Sequence, residues 1–150
     1  MANRDNPLKG AKFEKLAKGF FQQLGLRLEH GFTVDVGISS LKKPHQFDLG
    51  SDKPPVLVEC KAHTWTEGGN PPSAKLSVWN EAMYYFVAAP SHFRKILFVL
   101  KSTRKGETLA QHYIRRFEHL IPDGVELWEF DPKNQQVRCL YGDSSEQAAA

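Results

Sequence analysis

Cysteine is nearly absent: Cys60 and Cys139 are the only two in 150 residues. That scarcity excludes the disulfide framework of small secreted domains and a four-cysteine zinc site. Cys60-x-x-His63 has zinc-like spacing, but no second ligand pair accompanies it, so zinc is rejected. No apolar run comes near the roughly twenty residues a membrane-spanning helix needs. The amino terminus, Met1-Ala-Asn-Arg-Asp-Asn-Pro, lacks the apolar core of a secretory signal, so a cytoplasmic location and no membrane partner are expected. Gly-rich phosphate loops, H-E-x-x-H pairs and G-x-S-x-G elbows are also missing. Neither a repeat nor a Gly/Ser-rich linker divides the chain. One domain over residues 1–141 is therefore expected, with 142–150 as a small, polar, flexible tail.

Charge of neither sign dominates. Twenty Lys and Arg against 17 Asp and Glu leave +3, with a pI near 8.9. Such a balance permits nucleic-acid binding without demanding it. The basic residues do cluster, at Lys42-Lys43, Arg94-Lys95, Lys101 with Arg104-Lys105, and Arg115-Arg116. Composition alone reads these clusters as solvated surface.

Periodicity supplies the elements. Asn6-Pro7 is a helix start, and Phe13, Leu16, Ala17, Phe20 and Leu24 follow at helical spacing up to a stop at Gly25. Leu26 to Val36 reads as a strand interrupted near His30-Gly31, and Gly37 to His45 as a polar, basic turn. A short strand over Gln46 to Leu49 precedes a tight loop over Gly50 to Pro55. Val56 to Ala62 is the clearest strand, and Thr64 to Pro72 must be a loop. Ser73 to Ala89 forms a second helix with Leu76, Trp79, Met83 and Val87 on one face. Ile96 to Leu100 has the continuous apolar character of a strand covered on both sides. Thr108 to Leu120 is a third helix with Leu109, Tyr113, Phe117 and Leu120 inward; Val125–Phe130 and Val137–Tyr141 close the order. Helices alternating with strands predict an α/β domain with a central mixed sheet flanked by helices.

The chemistry centres on Glu59-Cys60-Lys61. Alternate residues of a strand share a face, so Glu59 and Lys61 project together. A simple salt bridge would explain that pair. Asp48 changes the reading, because the Gly50–Pro55 turn folds its strand back beside Glu59. Two adjacent carboxylates repel unless a cation lies between them. Mg²⁺, which takes one or two carboxylates and keeps several waters, suits such a pair. Lys61 is then placed to orient a water or neutralise charge on phosphorus.

Phe47-Asp48, ten further residues, then Glu59-Cys60-Lys61 resembles the PD-(D/E)XK nuclease superfamily. That superfamily includes many type II restriction enzymes and Holliday-junction resolvases. Asp48, Glu59 and Lys61 match its aspartate, second acid and lysine, while Phe47 stands where a proline often precedes the aspartate. The resemblance covers roughly residues 11–100. It implies a restriction endonuclease-like αβββαβ core and a first-helix glutamate, the place of Glu14, which helical geometry sets at the border of the apolar stripe. An ordinary surface pairing of Glu14 with Lys18 is the alternative. Relatives often carry Gln, then Tyr four residues later, on the next helix; here Asn80 and Tyr84 have that spacing, although packing is the favoured reading of Tyr84.

The implied activity is Mg²⁺- or Mn²⁺-dependent hydrolysis of phosphodiesters in DNA. The expected metal set is Asp48, Glu59, Glu14 and the Cys60 carbonyl, with Lys61 and Asn80 assisting catalysis. Lys42, Lys43, Lys75, Arg104 and Tyr84 are the expected nucleic-acid contacts. Trp65 is read either as a base-stacking platform or as a cap over the core. The rival readings are an inactive DNA-binding or structural subunit of the same fold, and a nuclease acting on RNA. A homodimer or a partner subunit fits the absence of a separate recognition domain.

Overall fold

The first helix, α1 (Ala11–Gln23), forms where the apolar stripe recurs every three to four residues. Phe13, Ala17 and Phe21 are buried, with Leu16, Phe20 and Leu24 packed partly buried beside them. Its stop is chemical: Gly25 N–H donates to the Gln22 carbonyl at 3.0 Å and Leu26 N–H to Phe21 at 2.9 Å. These are the paired bonds of a Schellman termination. The computed structural model describes residues 10–142, so the expected start at Asn6-Pro7 and the tail beyond Gly142 lie outside the described residues.

Three strands follow as an antiparallel meander: β1 (Glu29–Val36), β2 (Lys43–Asp52) and β3 (Pro55–Lys61). Helix α2 (Ser73–Ala88) then crosses over to β4 (Arg94–Leu100), which pairs parallel to β3. A hairpin of two-residue strands, β5 (Thr103–Arg104) and β6 (Glu107–Thr108), leads into α3 (Leu109–Phe117). Strand β7 (Val125–Asp131) lies parallel to β4, and β8 (Gln136–Tyr141) returns antiparallel at the edge. The result is an α/β fold with one six-stranded mixed sheet in the order β1-β2-β3-β4-β7-β8.

Both faces of the sheet are covered, so Ile96 to Leu100 of β4 are buried throughout. One core is largely aromatic: Phe13, Phe20 and Phe21 of α1 pack on Phe98 of β4 and on Trp128 and Phe130 of β7. The other joins α2 and α3 to the opposite face through Leu76, Trp79, Met83, Phe86, Leu109 and Tyr113. Burying a side chain of this size is worth about 1.5–3 kcal/mol, so each layer is a substantial source of stability. Among the described residues no helix is long and apolar enough to cross a membrane.

Several expected boundaries move. Strand β2 begins at Lys43 instead of Gln46 and runs past Gly50, so the basic turn ends at Lys42. Strand β1 begins at Glu29 instead of Leu26. Val87, expected inward, is 54% exposed. It lies on the last turn of α2, beside an open groove with Ile38 and Lys42. Leu120 is 46% exposed, because the α-helix ends at Phe117 and a 3-10 turn over Glu118–Leu120 rotates it off the stripe. The β5–β6 hairpin was not expected; Lys105 and Gly106 make its turn at φ 51° and 81°. Two successive positive φ values are the signature of a type I′ turn.

Candidate active site

The site forms where the sheet forks. Strands β2 and β3 are laddered from Asp52/Pro55 up to Leu49/Val58. Beyond that pair β2 stays with β1 and β3 stays with β4. The separation coincides with a kink. Phe47 packs in the α2 core and Leu49 in the α1 core, which breaks strict two-residue alternation at Asp48. Across from Asp48, Gly31 adopts φ 64°, and the ladder skips the pair between His30/Leu49 and Phe32/Phe47. A residue with a Cβ rarely takes that conformation. The interruption read from His30-Gly31 is thus a real bend in β1.

In the fork, side chains replace the missing backbone bonds. The Asp48 carboxylate accepts the Cys60 N–H through Oδ2 at 2.8 Å. Reciprocally, Glu59 accepts the Asp48 N–H through Oε1 at 3.0 Å. One oxygen of each carboxylate, Oδ1 of Asp48 and Oε2 of Glu59, stays outside this clasp. Lys61 Nζ stands 3.9 Å from Glu59 Oε2, both side chains largely buried. The sequence-predicted trio is therefore brought together, from two neighbouring strands.

Electrostatics mark the cluster as unbalanced. Burial, then the charge of Asp48, raises the Glu59 carboxyl to about 7, against the opposing pull of Lys61 and the Asp48 N–H. Glu14 on α1 belongs to the same field: burial and Asp48 raise its carboxyl while Lys61 lowers it. Glu14 does not pair with Lys18. Its carboxylate lies 4.0 Å from Nδ1 of the His30 ring. Cys60 gives its N–H to Asp48, and its thiol packs toward the α1 core, where burial holds it well above the ordinary thiol range.

The donor set fits a hard divalent cation. Asp48 and Glu59 each keep one oxygen outside the clasp, and such a pair of carboxylates is what Mg²⁺ or Mn²⁺ takes, with water completing the shell. Among the described residues no group of three or more His, Cys, Asp and Glu side chains is arranged to hold a metal. The fit therefore rests on the pair, with Glu14 near it.

The other expected residues lie elsewhere. Asn80 Oδ1 accepts a hydrogen bond from the Tyr113 hydroxyl at 2.7 Å, tying α2 to α3. No hydrogen bond or ion pair connects it to Asp48, Glu59 or Lys61 among the described residues. Tyr84 is 58% exposed, so the packing reading of that residue is overturned. Lys43, Asn80 and Tyr84 line a groove of about 650 Å³ between α2 and the β1–β2 connection. Lys42 is exposed but folds back, donating to the Gly37 carbonyl at 2.6 Å. Lys75 is exposed on the first turn of α2. The Arg104 guanidinium lies 4.5 Å from the centre of the Trp65 ring. Trp65 itself is buried and donates its indole N–H to the Ser102 carbonyl at 3.0 Å, so it caps the core. His63, half-buried, accepts the Trp79 indole N–H at 2.8 Å through Nδ1.

Sequence reasoning missed Lys15, Lys18 and His30, which line a groove with Glu14. Helical spacing carried a signal for Lys18, one turn from Glu14, but that signal was read as an ion pair. Nothing local to His30 announces its approach to α1, which depends on the bend at Gly31. No protein-family model, no curated protein and no solved structure matches this chain.

Proposed function

We propose that this chain is a divalent-metal-dependent nuclease that hydrolyses phosphodiester bonds in DNA. The observation that carries the reading is the forked sheet end, where Asp48, Glu59 and Lys61 converge and burial with mutual repulsion lifts the Glu59 carboxyl to about 7. A buried acid beside a half-buried one, without full neutralisation, is suited to receive a cation. The order helix, three antiparallel strands, helix, parallel strand supports the resemblance to the PD-(D/E)XK superfamily and its restriction endonuclease-like core.

In this reading Asp48 and Glu59 would hold Mg²⁺ or Mn²⁺, with Glu14 at the border of the shell. Such an ion supplies Lewis acidity and a bound water of lowered pKa. The chain's own groups do the positioning. The reciprocal Asp48–Glu59 clasp fixes both carboxylates against rotation, which pre-pays the ordering that catalysis requires. Lys61, held beside Glu59 in a largely buried setting, orients the attacking water and offsets the negative charge that grows on the phosphoryl oxygens.

Lys61→Ala tests this directly. The variant should lose Mg²⁺- or Mn²⁺-dependent cleavage of DNA by ~10³-fold or more, within the range of a removed catalytic donor. Its melting temperature should stay within a few degrees, since the 3.9 Å ion pair is loose. Undiminished cleavage would refute the assignment of Lys61. Parallel digestion of DNA and RNA decides the substrate.

One observation favours a second reading, a structural module without activity. Both carboxylates already accept backbone N–H groups that the ladder leaves open, which a purely architectural clasp also requires. Titration calorimetry separates the two, because a clasp alone binds neither Mg²⁺ nor Mn²⁺.

A further inference from the structure

A second groove, of about 540 Å³, runs along α1 and meets the site at Glu14. Lys15, Lys18, Gly19, Gln22 and His30 line it with Glu14. Its charges are lopsided. Lys15 and Lys18 form no ion pair with a carboxylate among the described residues, and the one acid in the groove, Glu14, lies 4.0 Å from the His30 ring. Gly19 keeps the middle open, with no atom within 4 Å of where a Cβ would stand. From Glu14 to Gln22 the helix advances ~12 Å at 1.5 Å per residue.

We infer that this groove is a track for the sugar-phosphate backbone of the strand being cut, with Lys15 and Lys18 contacting phosphates beside the one held at Asp48 and Glu59. The inference rests on the nuclease reading and names the path by which substrate reaches the fork. Ammonium groups that meet no carboxylate among the described residues, set along one wall that leads to the acidic cluster, complement a polyanion with one phosphate bridged by metal. Contacts of this kind give sequence-independent affinity that falls with salt.

Fluorescence anisotropy of the full chain with a labelled single-stranded oligonucleotide, in EDTA across a salt series, tests the track. Removing two phosphate contacts in Lys15→Ala/Lys18→Ala should make the slope of log affinity against log salt shallower by about 1.4. Affinity at 0.1 M salt should fall ~10-fold, equally for unrelated sequences. Lys12→Ala, exposed on the same helix outside the groove, should leave the slope nearly unchanged. An unaltered slope in the double variant overturns the track, as does an equal effect from Lys12→Ala, which would reduce the result to net charge. Competition by oligoglutamate as strong as by the unlabelled oligonucleotide would assign the groove to an acidic peptide instead and overturn it too. The two readings fail separately. Wild-type cleavage in Mn²⁺ with an unaltered slope in the double variant removes the track alone. Absence of cleavage by wild type, with a slope that still depends on Lys15 and Lys18, removes the nuclease and leaves a polyanion-binding groove.

Discussion

The two halves of β3 differ more than their common secondary structure suggests. Val56, Leu57 and Val58 are almost fully buried, laddered to β2 on one side and β4 on the other. Glu59, Cys60 and Lys61 keep the β4 ladder, but on the β2 side they meet carboxylate-to-backbone bonds. The lower half contributes stability through apolar burial. The upper half gives up three ladder positions on the β2 side and retains buried charge, which is destabilising by itself. A fold tolerates such a half-strand only because the other half and the strands around it are secure. Stability and the proposed chemistry are thus divided within seven residues.

The sharpest way to break this division is to weaken the secure half. Leu57→Ala should cost roughly 2–5 kcal/mol, the range for a buried leucine that leaves a cavity. In a chain of this size that is a fall of about 10 °C in melting temperature by calorimetry. Cleavage per folded molecule should be unchanged, since Leu57 faces the α2 core and touches none of the fork's hydrogen bonds.

Glu59→Gln approaches from the other side and should stabilise the protein. Between about 4.5 and 7 the folded state holds the Glu59 proton while the unfolded chain has released it, so stability falls as pH rises through that window. Two and a half pH units correspond to about 3 kcal/mol at most. The glutamine, which can still accept the Asp48 N–H, removes that loss. In EDTA the variant should melt above the wild type at pH 8 and level with it at pH 4, and Mn²⁺ should narrow the gap at pH 8. Parallel melting curves across pH would show that Glu59 carries no such burden.

The smallest effect concerns Asn80. Losing the Tyr113 hydrogen bond in Asn80→Ala should cost about 1 kcal/mol and leave cleavage intact. A large loss of activity at constant stability would return Asn80 to the catalytic group and blur the contrast drawn here.

Much of this arrangement was readable in advance. The order of elements followed from helical periodicity and from the unbroken run Ile96–Leu100. The meeting of Asp48 with Glu59 followed from hairpin length, and that of Glu59 with Lys61 from strand alternation. What escaped depends on contacts distant in sequence. Lys43-Pro44-His45 is too polar to look like strand, yet beyond the fork β2 has a neighbour on one side only, and Pro44 is tolerated there. Asn80 reaches across 33 residues to Tyr113, a partner no local spacing indicates. The β5–β6 hairpin has strands of two residues, shorter than any alternation can reveal. Trp65 looked equally suited to two roles, and the packing of Ser102 beneath it settled which.

The bend at Gly31 reaches beyond the site it shapes. Strand β1 ends the sheet, and an outermost strand offers its free amides and carbonyls to any extended chain that passes. A glycine at φ 64° in its middle denies such a visitor a straight template, and the exposed charges of Glu29 and Asp35 flank it on the same strand.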